Sequence, residues 1–339
     1  MTNSEKNEES AAHYNLNEFI QSAIQLTIPS DCVGMRLDQA LAKLLPHFSR
    51  NRIQSWIIEN RVILHPQPAS AKQKVWGNES IQVFPTSTLD SQSSYSAEAI
   101  QLDIIHEDNA IIVLNKPAGL VTHPGNGNWQ GTLLNALLHH APQLSQVPRA
   151  GIVHRLDKDT SGILVVAKTI EAQTHLVRQL QQRTVKRDYL AIVLGKVAKN
   201  GTVDAPIGRH SIHRTKMAVT SKGKPARTFY KICEQFNHCT LLECSLDTGR
   251  THQIRVHMQS IGHSLVGDPV YGKKPAIPES FIQELLSQFP RQALHAQKLT
   301  LSHPENEQQL SWQAPISEDL LDLLQKLRHP PIPSPKMIS

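Results

Sequence analysis

The sequence predicts an α+β protein with a small separate module at its N-terminal side. Three observations lead there. Short apolar, strand-like runs alternate with helical periods through most of the chain, and several of those runs lie close enough to pair as hairpins. A Ser/Thr-rich stretch without apolar period, Pro85 to Ser96, reads as a linker between a short first segment and a long second one. The 339 residues, 39% apolar and 19% charged, suit a globular chain of roughly two or three domains.

Taken in order, residues 1–25 hold one Lys and four Glu and read as a disordered acidic tail. Residues 26–84 form the small module. Leu37, Ala40, Leu41, Leu44 and Leu45 recur at helical spacing, and Pro46 ends that helix. Ser49 is placed to cap a second helix with Ile53, Trp56, Ile57 and Ile58 on its apolar face. Strands are expected at Arg61–Leu64 and Ser80–Phe84, and a linker at 85–100. Residues 101–330 form the large domain. Its expected strands are Leu102–Ile105, Ile111–Leu114, Ile163–Ala167, Tyr189–Leu194 and Cys239–Leu246. Its expected helices are Thr132–His140, Glu171–Gln182, Thr251–Ile261 and Ser317–Leu327. A C-terminal tail, 331–339, follows.

Charge narrows the partners. The net charge of +6 hides an uneven distribution. The module at 26–84 has seven Lys/Arg against four acids, and Arg183 to Arg227 has eleven against only Asp188 and Asp204. A solvated surface explains most such runs, but two in one chain favour a polyanion such as a phosphate backbone. The longest clearly apolar run, Gly162–Ala167, is far short of the ~20 residues of a membrane span. The polar, acidic start has no basic-then-apolar pattern, so no secretory signal is expected. Cys32, Cys233, Cys239 and Cys244 contain no C-x-x-C and suit reduced thiols in the cytoplasm.

Specific strings say more. In the module, R-L-D-Q-A-L, S-R-N-R-I-Q-S-W-I and N-R-V resemble the S4 RNA-binding domain, with Arg36, Arg50, Arg52 and Arg61 as RNA-facing candidates. Members carry Asn-Gly after the strand beginning at Arg61, where this chain has His65-Pro66. A helix–turn–helix DNA reader has similar spacing. Further on, H-R-L-D-x-x-T-S-G at 154–162 resembles the signature of the RluA-type pseudouridine synthases. Collinear with it are N-K-P-A-G-L-V-T-H-P-G at 115–125, K-R-D-Y-L-A at 186–191 and L-D-T-G-R-T-H-Q-I-R-V-H at 246–257. G-D-P-V-Y-G at 267–272 and L-H-A-Q-K-L at 294–299 complete the set.

The resemblance spans about residues 30–328. It implies a core with a mixed, largely antiparallel sheet and flanking helices behind an S4-like α/β domain. It implies an isomerase that breaks the bond from uracil N1 to ribose, turns the base, and joins C5 to the same sugar carbon. Such a reaction needs no redox cofactor, nucleoside triphosphate or metal, in keeping with the lack of a Gly-rich phosphate loop. The likeness is nearest to a member acting on large-subunit ribosomal RNA, the implied partner, by a monomer needing no partner protein. The alternatives are a non-catalytic RNA-binding assembly factor on the same fold and a synthase for transfer RNA or other ribosomal uridines.

Carried over position by position, the resemblance makes Asp157 the catalytic carboxylate. Whether it attacks the sugar, attacks the ring or takes a sugar proton stays open. A carboxylate desolvated in a nucleoside pocket tends to neutralise unless a cation stands beside it. Arg255 is the candidate for that cation, and Arg250 competes for the role or contacts phosphate. A stacked uridine must leave its stack to react. Arg155 resembles the side chain that enters the vacated space, and Tyr189 the aromatic that packs on the flipped uracil. Metal readings of His154 with Asp157, or His252 with His257, are set aside: the latter two, five apart, splay around a helix, and hydrogen-bonded structural histidines are the simpler reading.

Overall fold

The computed structural model describes residues 23–45, 48, 50–64, 67–85, 95–125, 128–213, 215–272 and 281–330. Most of the expected acidic tail, residues 86–94 of the linker, the Pro46 stop, the Ser49 cap, the His65-Pro66 turn and the C-terminal tail lie outside these. The chain divides between Ser94 and Tyr95 into two compact units.

The first unit contains β1 (Ile24–Thr27), α1 (Leu37–Leu44), α2 (Arg50–Ile58), β2 (Val62–Leu64), β3 (Gln67–Pro68) and β4 (Ser80–Val83). The strands form an antiparallel sheet in the order β1-β4-β2-β3. Leu37, Ala40 and Leu41 of α1 meet Ile53, Trp56 and Ile57 of α2 over Val62, Ile81 and Val83. Two expectations need correction. Ile24 and Gln25, assigned to the tail, pair with Val83 and Gln82. Ile58 is 78% exposed, because one further step around the helix from the buried Ile57 leaves the apolar face.

The second unit is built on a nine-stranded sheet. Its strands are β5 (Asp103–Glu107), β6 (Ile111–Lys116), β7 (Ser161–Ala167), β8 (Lys186–Leu194), β9 (Gly201–Asp204), β12 (Arg227–Gln235), β13 (Cys239–Leu246), β14 (Leu294–Ser302) and β15 (Gln309–Gln313). A separate hairpin joins β10 (Ile207–Arg209) and β11 (Met217–Val219). The order β5-β6-β7-β14-β8-β13-β12-β9, with β15 on β14, is antiparallel except where β7 meets β14. The expectation of a mixed, largely antiparallel sheet with helices is met. The helices are α3 (Leu133–His140), α4 (Ile170–Gln182), α5 (Gln253–Ser260), α6 (Phe281–Gln288) and α7 (Glu318–Arg328). Thr132 and Thr169 cap α3 and α4 by accepting the amides of Asn135 and Ala172.

Successive residues of β8 enter different cores. Tyr189, Ala191 and Val193 join the cluster holding α3, α4 and α5, whereas Leu190 and Ile192 pack with α6 and α7. The sheet is thus covered on both faces at its centre. The linker end also belongs to this unit: Asn135 Nδ2 donates to the Ser96 carbonyl, and the Glu98 carboxylate accepts from the Gly131 amide. Tyr95 packs on the same core.

One line of register crosses the middle of the sheet: Gly162 on β7, Ala296 on β14, Tyr189 on β8 and Cys244 on β13. The β7–β14 contact is two residue pairs long, Ser161 with His295 and Gly162 with Ala296. Gly162 has φ +115°, and a Cβ there would stand 2.1 Å from the Ala296 carbonyl oxygen. Only glycine fits this junction.

The loop entering β7 is held by polar bonds. Lys116, fully buried at the end of β6, donates to the carbonyls of Pro117 at 2.7 Å, Leu120 at 2.9 Å and Lys158 at 3.0 Å. Thr122 Oγ1 donates to Leu156 O at 2.8 Å. Arg291 Nη1 donates to Asp159 O at 3.0 Å, and its other nitrogens pair with Asp319. Gln292 Nε2 donates to Thr160 Oγ1 at 3.1 Å. Burial pushes the Lys116 amine down to about 7, against the opposing charges of Asp159 and Asp157.

Two outcomes follow. Gly162→Ala should lose about 2–4 kcal/mol in urea unfolding, since the strained φ and the clash act together. The Lys116 amine binds its proton more weakly in the folded chain than in the unfolded one, so folding stability gains as pH rises through that gap. Wild-type stability relative to Lys116→Met should therefore rise from about pH 7 towards pH 10. A flat difference across that range would contradict the assignment.

Candidate active site

A cavity of about 1000 Å³ opens in the second unit, lined among others by Arg155, Asp157, Arg187, Tyr189, His252 and Arg255. Three segments far apart in sequence meet here. The tethered loop brings Arg155 and Asp157, β8 brings Tyr189, and the turn before α5 brings Arg250 and His252. Helix α5 itself brings Arg255.

Asp157 Oδ2 accepts from Arg255 Nη1 at 3.0 Å. The Arg255 side chain is 4% exposed and that of Asp157 18%, so the pair lies at the cavity wall with the carboxylate towards the opening. The other edge of the guanidinium is taken by Asp268: Nε donates to Oδ2 at 2.7 Å and Nη2 to Oδ1 at 2.9 Å. Burial alone would raise the Asp268 carboxyl, but Arg255 and the amides of Val270 and Tyr271 outweigh it and hold it below its ordinary value. The Tyr271 ring lies 5.1 Å under the same guanidinium, a cation–π contact. Three of the contacts that hold Arg255 therefore come from a motif, G-D-P-V-Y-G, which the sequence alone left without a role.

His252, with its backbone in the left-handed region at φ 58°, is another residue the sequence did not place. Its Nε2 stands 3.9 Å from Asp157 Oδ1, and its Nδ1 lies 2.8 Å from the Tyr271 hydroxyl. That hydroxyl accepts the Met217 amide at 2.9 Å and shares a hydrogen bond with the ring. Burial lowers the His252 pKa, with Asp157 opposing. His257 faces elsewhere, bonded to Thr228 and to the Ala205 carbonyl. His154 Nε2 accepts the Val165 amide at 3.1 Å, and burial pushes its pKa down to about 3.

The turn at 248–253 is folded by Gln253. Its Oε1 accepts from Thr248 Oγ1 and the Arg250 amide, while its Nε2 donates to Arg227 O and Thr228 Oγ1. Arg250 Nε donates to the Pro225 carbonyl at 3.1 Å, so Arg255, not Arg250, contacts Asp157. Arg155 is exposed and makes no hydrogen bond or ion pair among the described residues. Tyr189 is 7% exposed, and burial raises its hydroxyl above the ordinary value. Of the basic stretch at 183–227, Arg187 is buried and Arg227 pairs with Asp204.

In the first unit, Arg36 and Arg50 both turn towards Asp38, which is fully buried. Arg61 pairs with Glu59 at 3.2 Å. The Arg52 side chain lies outside the described part. Two of the expected RNA-facing arginines thus also neutralise an acid inside their own unit. Among the described residues no helix is long and apolar enough to cross a membrane, no group of residues is arranged to hold a metal ion, and the four cysteines are free.

Residues 110–260 match the RNA pseudouridylate synthase family. The ribosomal large subunit pseudouridine synthase D of Nitrosomonas europaea is 60% identical over 328 residues, covering 97% of this chain and 94% of that one. The protein of the same name from Escherichia coli strain K12 is 50% identical, covering 89% and 93%. Among solved structures, human RNA pseudouridylate synthase domain containing 1 is 26% identical with a TM-score of 0.50, covering 70% of this chain and 99% of its own. Human RNA pseudouridylate synthase domain containing 4, 24% identical at a TM-score of 0.54 over 67% and 93%, shares the fold. With a relative at this identity over nearly its whole length, and with the signature loop at the cavity wall, the chain belongs to the RNA pseudouridylate synthase family.

Proposed function

We propose that the protein isomerises specific uridines of 23S large-subunit ribosomal RNA to pseudouridine, with Asp157 as the catalytic residue. The observation that carries the reading is the Asp157 carboxylate, facing a nucleotide-sized cavity and held from behind by a buried arginine. The target class rests on the two large-subunit relatives, similar over almost their full lengths.

The chemistry needs an oxygen nucleophile or base at a fixed position beside the glycosidic carbon. Arg255 supplies that fixity, because its charge-assisted bond to Oδ2 leaves Oδ1 for the substrate. Arg255 is itself locked by Asp268 and cannot follow Asp157 into the cavity. The uridine leaves its stack to reach this wall. Arg155, exposed and unpaired, enters the space it vacates. Tyr189 packs on the uracil, and its raised pKa keeps the phenol neutral near pH 7, so it offers a face and a proton rather than a charge. His252, uncharged beside Oδ1, closes the site on its other side. The first unit acts as an S4-like module that docks the RNA, with Arg36, Arg50, Arg52 and Arg61 towards phosphates. The enzyme works as a cytosolic monomer, without metal or cofactor.

Two outcomes test the reading, both read by chemical mapping of pseudouridine in unmodified ribosomal RNA. Asp157→Asn should lower single-turnover rates by more than about 10⁴-fold with RNA affinity within a few-fold of wild type; retained turnover would end the mechanism. Asp268→Asn frees one edge of Arg255 and should lower kcat about 10–100-fold while leaving KM nearly unchanged. A change confined to KM would mean that Asp268 shapes RNA binding and does not position the catalytic pair.

A further inference from the structure

The buried cations of the second unit differ in how they are satisfied. Arg255 has Asp268 and Asp157, Arg291 has Asp319, and Lys116 has three carbonyls. Arg187 has none of these. It is 8% exposed, its Nε is buried without a hydrogen-bond partner, and among the described residues no carboxylate forms an ion pair with it. It precedes Tyr189 by two positions on β8, so both side chains leave the same face of the strand and both line the cavity. The turn before α5 passes it with a glycine: a Cβ on Gly249 would stand 2.7 Å from Arg187 Nη1. A buried guanidinium with free N–H groups is costly unless something arrives to meet it.

We propose that Arg187 is the phosphate-binding residue of the cavity, taking a phosphodiester adjoining the flipped uridine beside Tyr189. This rests on the reading of the cavity as the uridine site. A uracil carbonyl would satisfy one N–H and leave the positive charge unbalanced. A phosphodiester supplies both acceptor oxygens and the missing negative charge, in the paired geometry a guanidinium favours. The carboxylates lining the cavity are already engaged, Asp157 by Arg255 and Asp247 by Arg227 at 3.6 Å. The volume of about 1000 Å³ is at the upper end for a small ligand and leaves room for sugar and phosphate besides the base. Arg149 and Arg183, both exposed and without an ion pair among the described residues, lie on the same lining and continue the path.

The experiment is a double-mutant cycle between the protein and the RNA. Short RNAs containing a uridine that wild type modifies are synthesised with an uncharged methylphosphonate at either linkage flanking that uridine. Affinity and single-turnover rate are measured for the full-length wild type, Arg187→Met and Arg187→Lys. At one of the two linkages, methylphosphonate should weaken wild-type binding about 5–20-fold. Arg187→Met should lose a similar factor on the normal RNA and nothing more on the neutral linkage, with its salt slope reduced by about one. Arg187→Lys should recover part of the loss. Because it removes an unpaired buried charge, Arg187→Met should melt no lower than wild type. Independent, multiplicative losses at both linkages would overturn the proposal, and so would an Arg187→Met chain that cannot fold. If wild type modifies no RNA, the reading of the cavity fails instead.

Discussion

A single guanidinium shared by two carboxylates organises the second unit around its cavity. Arg255 reaches Asp157 across 98 residues of sequence and Asp268 across 13. Each of the three groups would be costly to bury alone. Together they form a chain whose inner end is closed by backbone amides and whose outer end meets the cavity. The asymmetry matters: two bonds to Asp268 against one to Asp157 fix the arginine to the scaffold and leave the outer carboxylate with a free oxygen.

The scaffold has to deliver these groups with little tolerance, and it does so with polar bonds where packing is absent. The loop carrying Arg155 and Asp157 has one buried apolar anchor, Leu156. Its other fixings are mostly carbonyls, held by Lys116, Thr122 and Arg291, with the Thr160 hydroxyl held by Gln292. A loop pinned through its backbone can keep its side chains free for substrate. The same division holds in the turn before α5, where Gln253 binds both flanks and His252 adopts a left-handed backbone beside Asp157.

Much of this was legible in the sequence, for reasons that differ by element. Strands buried on both faces, such as β7, read as continuous apolar runs, and the helical period of α4 placed it to within one residue at each end. β14 was missed as a strand because it places His295, Gln297 and Lys298 in the middle of the sheet, where His295 meets Ser161. β12 was missed because one of its faces is exposed, and β1 because four residues beside a polar tail carry no periodic signal. Motif order brought Asp157, Arg255, Arg155 and Tyr189 to one cavity. It was silent on Asp268, Tyr271 and His252, whose roles depend on contacts that chain order does not encode. The basic strip misled in part: charge counted along the chain does not distinguish a solvated lysine from Arg187 inside the cavity.

The two-residue parallel contact between β7 and β14 sets a condition on when the enzyme can exist. Ser161 finds His295 across 134 residues, and the arginine that pins the Asp157 loop from behind is Arg291, balanced by Asp319 near the far end of the sheet domain. Contacts that span so much chain close late. During synthesis, which proceeds from the N-terminus, the Asp157 loop, Tyr189 and Arg255 all leave the ribosome before Arg291 and Asp319, which complete the hold on the loop that Lys116 and Thr122 begin. An RNA-modifying site assembled in this order has no finished geometry on a partial chain, so a polypeptide interrupted before residue 319 would carry the signature motif without the enzyme.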